Sequence, residues 1–209
     1  MYVANAGDSR CVVCRAGGVA HALSRDHTPA LPCERRRIRA AGSCVVNGRV
    51  EGTLALSRAL GDAHFKQARH LTPQQQAVTA LPELRCARLH ASDEFLLLAC
   101  DGVWECTSSQ SAVTFVRTRL ARGDPLHQVA AALCDACTAE DPSATDGLGC
   151  DNTTVMIVLL TGAGEEANQG GCALSRRRAR PVVTSQEEGG ADKEPHAVTR
   201  RRASQADRP

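Results

Sequence analysis

Phe95-Leu96-Leu97-Leu98-Ala99-Cys100-Asp101-Gly102-Val103-Trp104-Glu105 is the stretch whose reading decides the fold. Its apolar run, bounded by Asp93-Glu94 on one side and by Asp-Gly on the other, predicts a strand buried on both faces. A carboxylate at the end of such a strand has a fixed position, and the glycine after it lets other groups approach closely. That is one way to hold a metal ion. An isolated Asp-Gly pair is otherwise a turn.

The arrangement recurs. Thr153-Thr154-Val155-Met156-Ile157-Val158-Leu159-Leu160 reads as a second buried strand, with Asp151 at its start where Asp101 stands at the end of the first. Two such strands lying antiparallel side by side would bring Asp101 and Asp151 together. Asp8 follows Gly7 in a polar turn, Asp62 ends the run Leu54–Gly61, and Glu105 stands four residues beyond Asp101. Carboxylates with no matching His or Cys partner select a hard divalent cation, Mg²⁺ or Mn²⁺, over zinc. Two such ions about 4 Å apart can share a hydroxide and clamp a phosphoryl oxygen. No P-loop, Gly-x-Ser-x-Gly elbow or Cys-x5-Arg segment competes. Residues alone reach a divalent-metal site suited to phosphoryl chemistry, and no further.

Outward from these strands, Tyr2–Ala6 and Cys11–Cys14 flank Gly7-Asp8-Ser9-Arg10 and predict a hairpin. Pro32–Ala41 predicts a short basic helix ended by Gly42, whose arginine run reads first as a solvated face and second as a phosphate or nucleic-acid patch. Val45–Val50 predicts a tight hairpin turned by Asn47-Gly48. Arg58 suits an acid or phosphate, or a structural pair with Asp62. Lys66–Ala80 reads as a polar loop, and Pro82–Leu89 as a strand pairing with Glu94–Cys100. Ser108-Ser109 caps a helix with Ala112, Val113, Phe115, Val116 and Leu120 on one face, and Asp124-Pro125 opens another through Ala136.

From Gly162 the composition changes to Gly, Glu, Ser, Arg and Pro, which predicts a domain over 1–161 and a disordered tail over 162–209. The tail carries nine basic and seven acidic residues and the whole chain is +2, so residues 1–161 are balanced. Nothing global then points to nucleic acid or a membrane surface. Arg176–Arg180 and Arg200–Arg202 are short basic runs, and Arg201-Arg202-Ala203-Ser204 has the form of a basophilic kinase site, but arginine-rich tails produce both by chance. No apolar run approaches the ~20 residues of a bilayer span, and the amino terminus lacks signal-peptide features. An intracellular chain, cytoplasmic or nuclear, is expected. Eleven cysteines then read as reduced core residues. Cys11 and Cys14 face opposite sides of a strand. Cys134 and Cys137 share a helix face without the four-ligand spacing of a zinc site.

The ordered segments Val3-Ala4-Asn5-Ala6-Gly7-Asp8-Ser9-Arg10, Arg25-Asp26-His27, Leu56-Ser57-Arg58-Ala59-Leu60-Gly61-Asp62, Leu98–Trp104 and Cys150–Val155 resemble the metal-dependent Ser/Thr protein phosphatases of type 2C. The resemblance covers Met1–Leu160. It implies an α+β fold, two antiparallel β-sheets in a sandwich flanked by helices (αββα), with the amino-terminal part missing. It further implies two Mg²⁺ or Mn²⁺ ions and a metal-activated water that attacks phosphoserine or phosphothreonine in protein substrates. By the same resemblance Asp101 and Asp151 are metal ligands, Asp8 and Glu105 belong to a weaker third metal, and Arg58 and Asp62 support the site from behind. Glu105 stands where that family usually has Asp.

The family's Asp-Gly-His-Gly-Gly segment, which supplies a bridging ligand and a general-acid His, and its phosphate-gripping Arg are not in this sequence. These 209 residues are therefore expected to be inactive alone, as the carboxy-terminal part of a catalytic domain. The competing reading is a non-catalytic phosphatase-like binding or regulatory protein. A haloacid-dehalogenase-type reading fails because position 103 is Val where that chemistry needs a second Asp.

Overall fold

The computed structural model describes residues 1–141, 143–160 and the backbone of 182–186. The quoted stretch becomes strand β7 (Phe95–Ala99), which lies at the centre of a five-stranded sheet ordered β3-β2-β7-β8-β9. Its companions are β2 (Arg10–Arg15), β3 (Val19–Ala22), β8 (Thr153–Leu159) and β9 (Val182–Gln186). Every pairing is antiparallel. Strand β9 falls within the span assigned to the tail; the rest of 162–209 lies outside the described residues.

The apolar alternation sorts the sheet's two faces. Val12, Cys14, Phe95, Leu97, Ala99, Val155 and Ile157 are buried against α3 (Ser109–Ala121) and α4 (Leu126–Ala136). Helix α3 is capped as expected, the Ser108 hydroxyl accepting from the Ser111 amide at 3.1 Å. Helix α4 departs in detail: Pro125 occupies the cap position, and Asp124 turns back to Arg119 at 3.2 Å.

The opposite face is thinner. Cys11, Val13 and Leu23 are buried there, with Val3, Leu96 and Leu98 half-buried beside them. It is covered by a second sheet of two strands, β1 (Tyr2–Asn5) and β6 (Glu83–Cys86). This is the sheet-on-sheet arrangement of a sandwich. Strand β7 is therefore fully buried on one face only, because two strands cover less area than the helical layer does.

Two expected pairings are corrected. β1 and β2 do not form a hairpin: the chain crosses from one sheet to the other at Gly7, whose φ of +139° favours glycine. β6 pairs with β1, not with β7. The Asn47-Gly48 hairpin forms as expected between β4 (Val45–Val46) and β5 (Arg49–Val50), with both turn residues at positive φ. It packs through Val50 on Ile38 of α1 (Pro32–Ala40) and on Val78. The segment read as a polar loop, 66–80, ends buried at Gln76, Ala77, Val78 and Thr79.

Candidate metal centre

Antiparallel pairing of β7 with β8 sets Ala99 opposite Val155, and one residue further the Cys100 amide donates to the Thr154 carbonyl at 3.2 Å. The Cys100 thiol stitches the same place from its side chain. It donates to the Asn152 carbonyl at 3.2 Å and accepts from the Thr154 amide at 3.1 Å. Asp101 then opens a one-turn helix, α2 (Asp101–Trp104), which ends in the fully buried Val103 and in Trp104. The Trp104 indole donates to the Ala99 carbonyl at 2.7 Å, and the Arg10 guanidinium lies over its ring at 4.9 Å.

Gly102 is where the two segments touch. A β-carbon on it would stand 2.5 Å from the Asn152 carbonyl oxygen and 3.2 Å from the Asn152 carbonyl carbon. The glycine is thus what lets α2 sit against the Asp151-Asn152 backbone, with a carboxylate at each side of the contact. Both carboxylates are oriented locally: Asp101 Oδ1 accepts from the Gly102 amide at 3.1 Å, and Asp151 Oδ1 from the Asn152 amide at 2.8 Å. Gly102→Ala is expected to push α2 off this backbone and destabilise the chain by about 1–3 kcal/mol. A shift of the urea midpoint measures it, and an unchanged midpoint would show that the contact yields freely.

Asp8 sits half-buried on the crossover from β1 to β2. Its carboxyl is raised above the ordinary value by burial first, then by the negative charge of Asp101, with smaller contributions from Asp26 and Glu105. Among the described residues Asp8, Asp101, Glu105 and Asp151 form no ion pair with Lys, Arg or His. A cation placed among them would relieve that repulsion. The donor set is all-carboxylate and hard, which fits Mg²⁺ or Mn²⁺. It is also incomplete: among the described residues no three His, Cys, Asp or Glu side chains converge closely enough to hold a metal. Glu105, at the carboxyl end of α2, is exposed, as is Asp151.

Arg58 and Asp62 separate. Asp62 is exposed and in the left-handed region, φ +48°, with no side-chain cap bond. Arg58 turns the other way, to Glu34, at 2.7 Å. Glu34 is 1% exposed, and sequence reasoning missed it because a carboxylate beside an arginine run reads as surface. The one available signal was its i,i+4 spacing to the buried Ile38. It accepts from Arg58, from Arg37 at 2.5 Å and from the Ser57 hydroxyl at 2.7 Å. Burial alone would raise the Glu34 carboxyl, but the hydrogen bonds from Arg58, Ser57 and Arg37 outweigh it and hold it at about 2.

This cluster reaches Asp8 through His27. The Ser57 hydroxyl also contacts the His27 carbonyl at 2.9 Å, and the His27 amide donates to the Gly7 carbonyl at 2.9 Å. His27 Nδ1 accepts from the Gly7 amide at 3.3 Å, which puts the ring proton on Nε2, 3.6 Å from Glu83. Burial and then Arg58 lower the His27 imidazole below its ordinary value, which favours the neutral ring. The turn carrying Asp8 is therefore fixed from both its amide and its carbonyl. The cysteines of the described residues are all free, with burial pushing the Cys11, Cys14 and Cys137 thiols up to about 11.

Residues 1–145 match the family described as Protein phosphatase 2C. The chain belongs to the protein phosphatase 2C family. It is 49% identical over 158 residues to Protein phosphatase 2C homolog 2 of Hypocrea jecorina, covering 76% of this chain and 36% of that one. It is 50% identical over 160 residues to Protein phosphatase 2C homolog 3 of Schizosaccharomyces pombe, covering 77% and 38%. A crystal structure of a Toxoplasma gondii phosphatase superposes with a TM-score of 0.66 at 32% identity, covering 90% of this chain and 52% of that one. This protein phosphatase 2C chain thus spans well under half the length of these two curated relatives. Its antiparallel sheets and helices are those of the family's fold.

Proposed function

We propose that this chain contributes the Asp101–Asp151 side of the catalytic centre of a metal-dependent protein serine/threonine phosphatase. The observation that carries the reading is the Gly102–Asn152 contact, which brings two unpaired carboxylate-bearing segments against each other in a chain of this family. Asp101 and Asp151 would hold Mg²⁺ or Mn²⁺ at a dinuclear site, with Asp8 and Glu105 toward a weaker third ion. When bound, the metals supply an activated water for attack on a phosphoserine or phosphothreonine ester. The chain's own residues position: Gly102 and Cys100 lock Asp101 to the Asp151 segment, and His27 fixes the turn carrying Asp8. Arg58 supports this indirectly, through Glu34, Ser57 and His27.

A bridging ligand and a general acid from an Asp-Gly-His-Gly-Gly segment are required for turnover, so residues 1–209 alone are inactive. Substrates are phosphorylated proteins, and the compartment is cytoplasmic or nuclear. The test is manganese binding by the 209-residue chain, followed by loss of the free Mn²⁺ paramagnetic resonance signal. Weak binding is expected, falling at least about tenfold in Asp101→Asn with Asp151→Asn. Equal binding by the folded double variant would overturn the assignment.

A further inference from the structure

The arginines that hold the framework are each spent on a buried or half-buried carboxylate: Arg10 on Asp26, Arg15 on Asp93, Arg37 and Arg58 on Glu34. Arg35, Arg36 and Arg39 are not. All three are exposed on α1, and among the described residues none has a side-chain hydrogen bond or an ion pair. The helix's single acid, Glu34, is turned inward and consumed by Arg37 and Arg58, so it does not screen them. Arg35 and Arg39 are four residues apart, a spacing at which like charges repel and weaken a helix. Three guanidinium groups left uncompensated on nine helical residues form a strongly charged patch on a domain whose formal charges sum to zero.

The patch is concave. Arg35, Arg36 and Arg39, with Ala30 and Pro32, line a cavity of about 320 Å³ that includes none of Asp8, Asp101, Glu105 or Asp151. Planar guanidinium forks match phosphate oxygens in pairs, which favours a phosphate group as the occupant. A nucleic-acid surface would add aromatic rings for base stacking, and no aromatic residue lines this cavity. The cavity is also fixed in orientation. Helix α1 is joined through Glu34, Ser57 and the His27 backbone to the Gly7 carbonyl beside Asp8. A peptide anchored here is held in a set direction relative to the candidate metal centre.

We propose that Arg35, Arg36 and Arg39 form a docking cavity for an acidic peptide segment bearing a second phosphate, apart from the phosphate to be hydrolysed. The proposal rests on the phosphatase reading, which supplies phosphorylated peptides as the ligand class. A substrate with two phosphoserines would be engaged at both places, gaining affinity from the pair.

The test uses the 209-residue chain and a fluorescein-labelled acidic peptide with two phosphoserines, followed by fluorescence anisotropy. The comparison is the triple variant Arg35→Gln, Arg36→Gln, Arg39→Gln, whose thermal midpoint is not lowered, since the replaced side chains are unpaired and repel one another. Expected are saturable binding to the parent chain, a loss of about tenfold in the triple variant, and weaker binding of the unphosphorylated peptide. Docking persists in Asp101→Asn with Asp151→Asn, so failure of the metal assignment and failure of this proposal are distinguishable. Equal affinity of parent and triple variant would overturn the proposal. So would a single-stranded RNA of equal charge that binds more tightly than the phosphopeptide and loses that affinity in the triple variant, since the cavity would then be a nucleic-acid patch.

Discussion

Glu34→Gln is expected to destabilise the folded chain by about 3–5 kcal/mol, the cost of removing one partner from a buried ion pair. The substitution keeps the shape and removes the charge. Arg37 and Arg58, whose side chains are about 15% exposed, are then left without a counter-ion. A domain of ordinary stability has only about 5–15 kcal/mol to lose, so the urea midpoint should move by a large fraction of its value. The same carboxylate predicts an acid limb. Its folded-state value of about 2 lies below its unfolded value of 4.5, so its contribution is complete above about pH 4.5 and is lost as the pH falls toward 2. The parent chain should lose about 3 kcal/mol across that window, and Glu34→Gln should lose correspondingly less. Identical acid limbs in the two proteins would show that Glu34 is not held as described.

The second large effect is on catalysis. In a chimera that supplies this chain with an amino-terminal phosphatase segment bearing Asp-Gly-His-Gly-Gly, Asp101→Asn or Asp151→Asn should cut phosphopeptide hydrolysis at least about a hundredfold. Residues merely behind a metal ligand cost up to that much, and a ligand should cost no less. Asn keeps the size and one oxygen of Asp but not its charge, so the thermal midpoint should hold while turnover falls. Asp62→Asn, at an exposed residue with no side-chain cap bond, should leave turnover within about twofold.

The strands carrying Asp101 and Asp151 were legible because a run of apolar residues broken by an acid has few other readings. Antiparallel pairing was read as the arrangement that would bring the two acids together, and the strands pair in that sense. The Asn47-Gly48 hairpin was legible for a similar reason, since both turn residues need positive φ. Pairing between sheets was not. Tyr2–Ala6, a polar turn and Cys11–Cys14 look the same whether the chain folds back or crosses to the other sheet, and the crossing is decided by Gly7 with its His27 contacts. Glu34 was hidden because burial of a carboxylate depends on Ser57 and Arg58, more than twenty residues away. Gly102 was legible as a glycine that admits a close approach, but its partner, the Asn152 carbonyl fifty residues on, was not. Of the proposed metal acids, the structure seats Asp101 against the Asp151 segment and Asp8 within its field, and leaves Glu105 exposed.

The most direct measurement is phosphate release from a phosphoserine peptide by the chimera, with Mn²⁺ and with chelator. Metal-dependent turnover by the chimera, and none by residues 1–209 alone, is the predicted result. A folded chimera that contains the Asp-Gly-His-Gly-Gly segment and releases no phosphate, while the intact phosphatase that donated the segment does so beside it, would contradict the account.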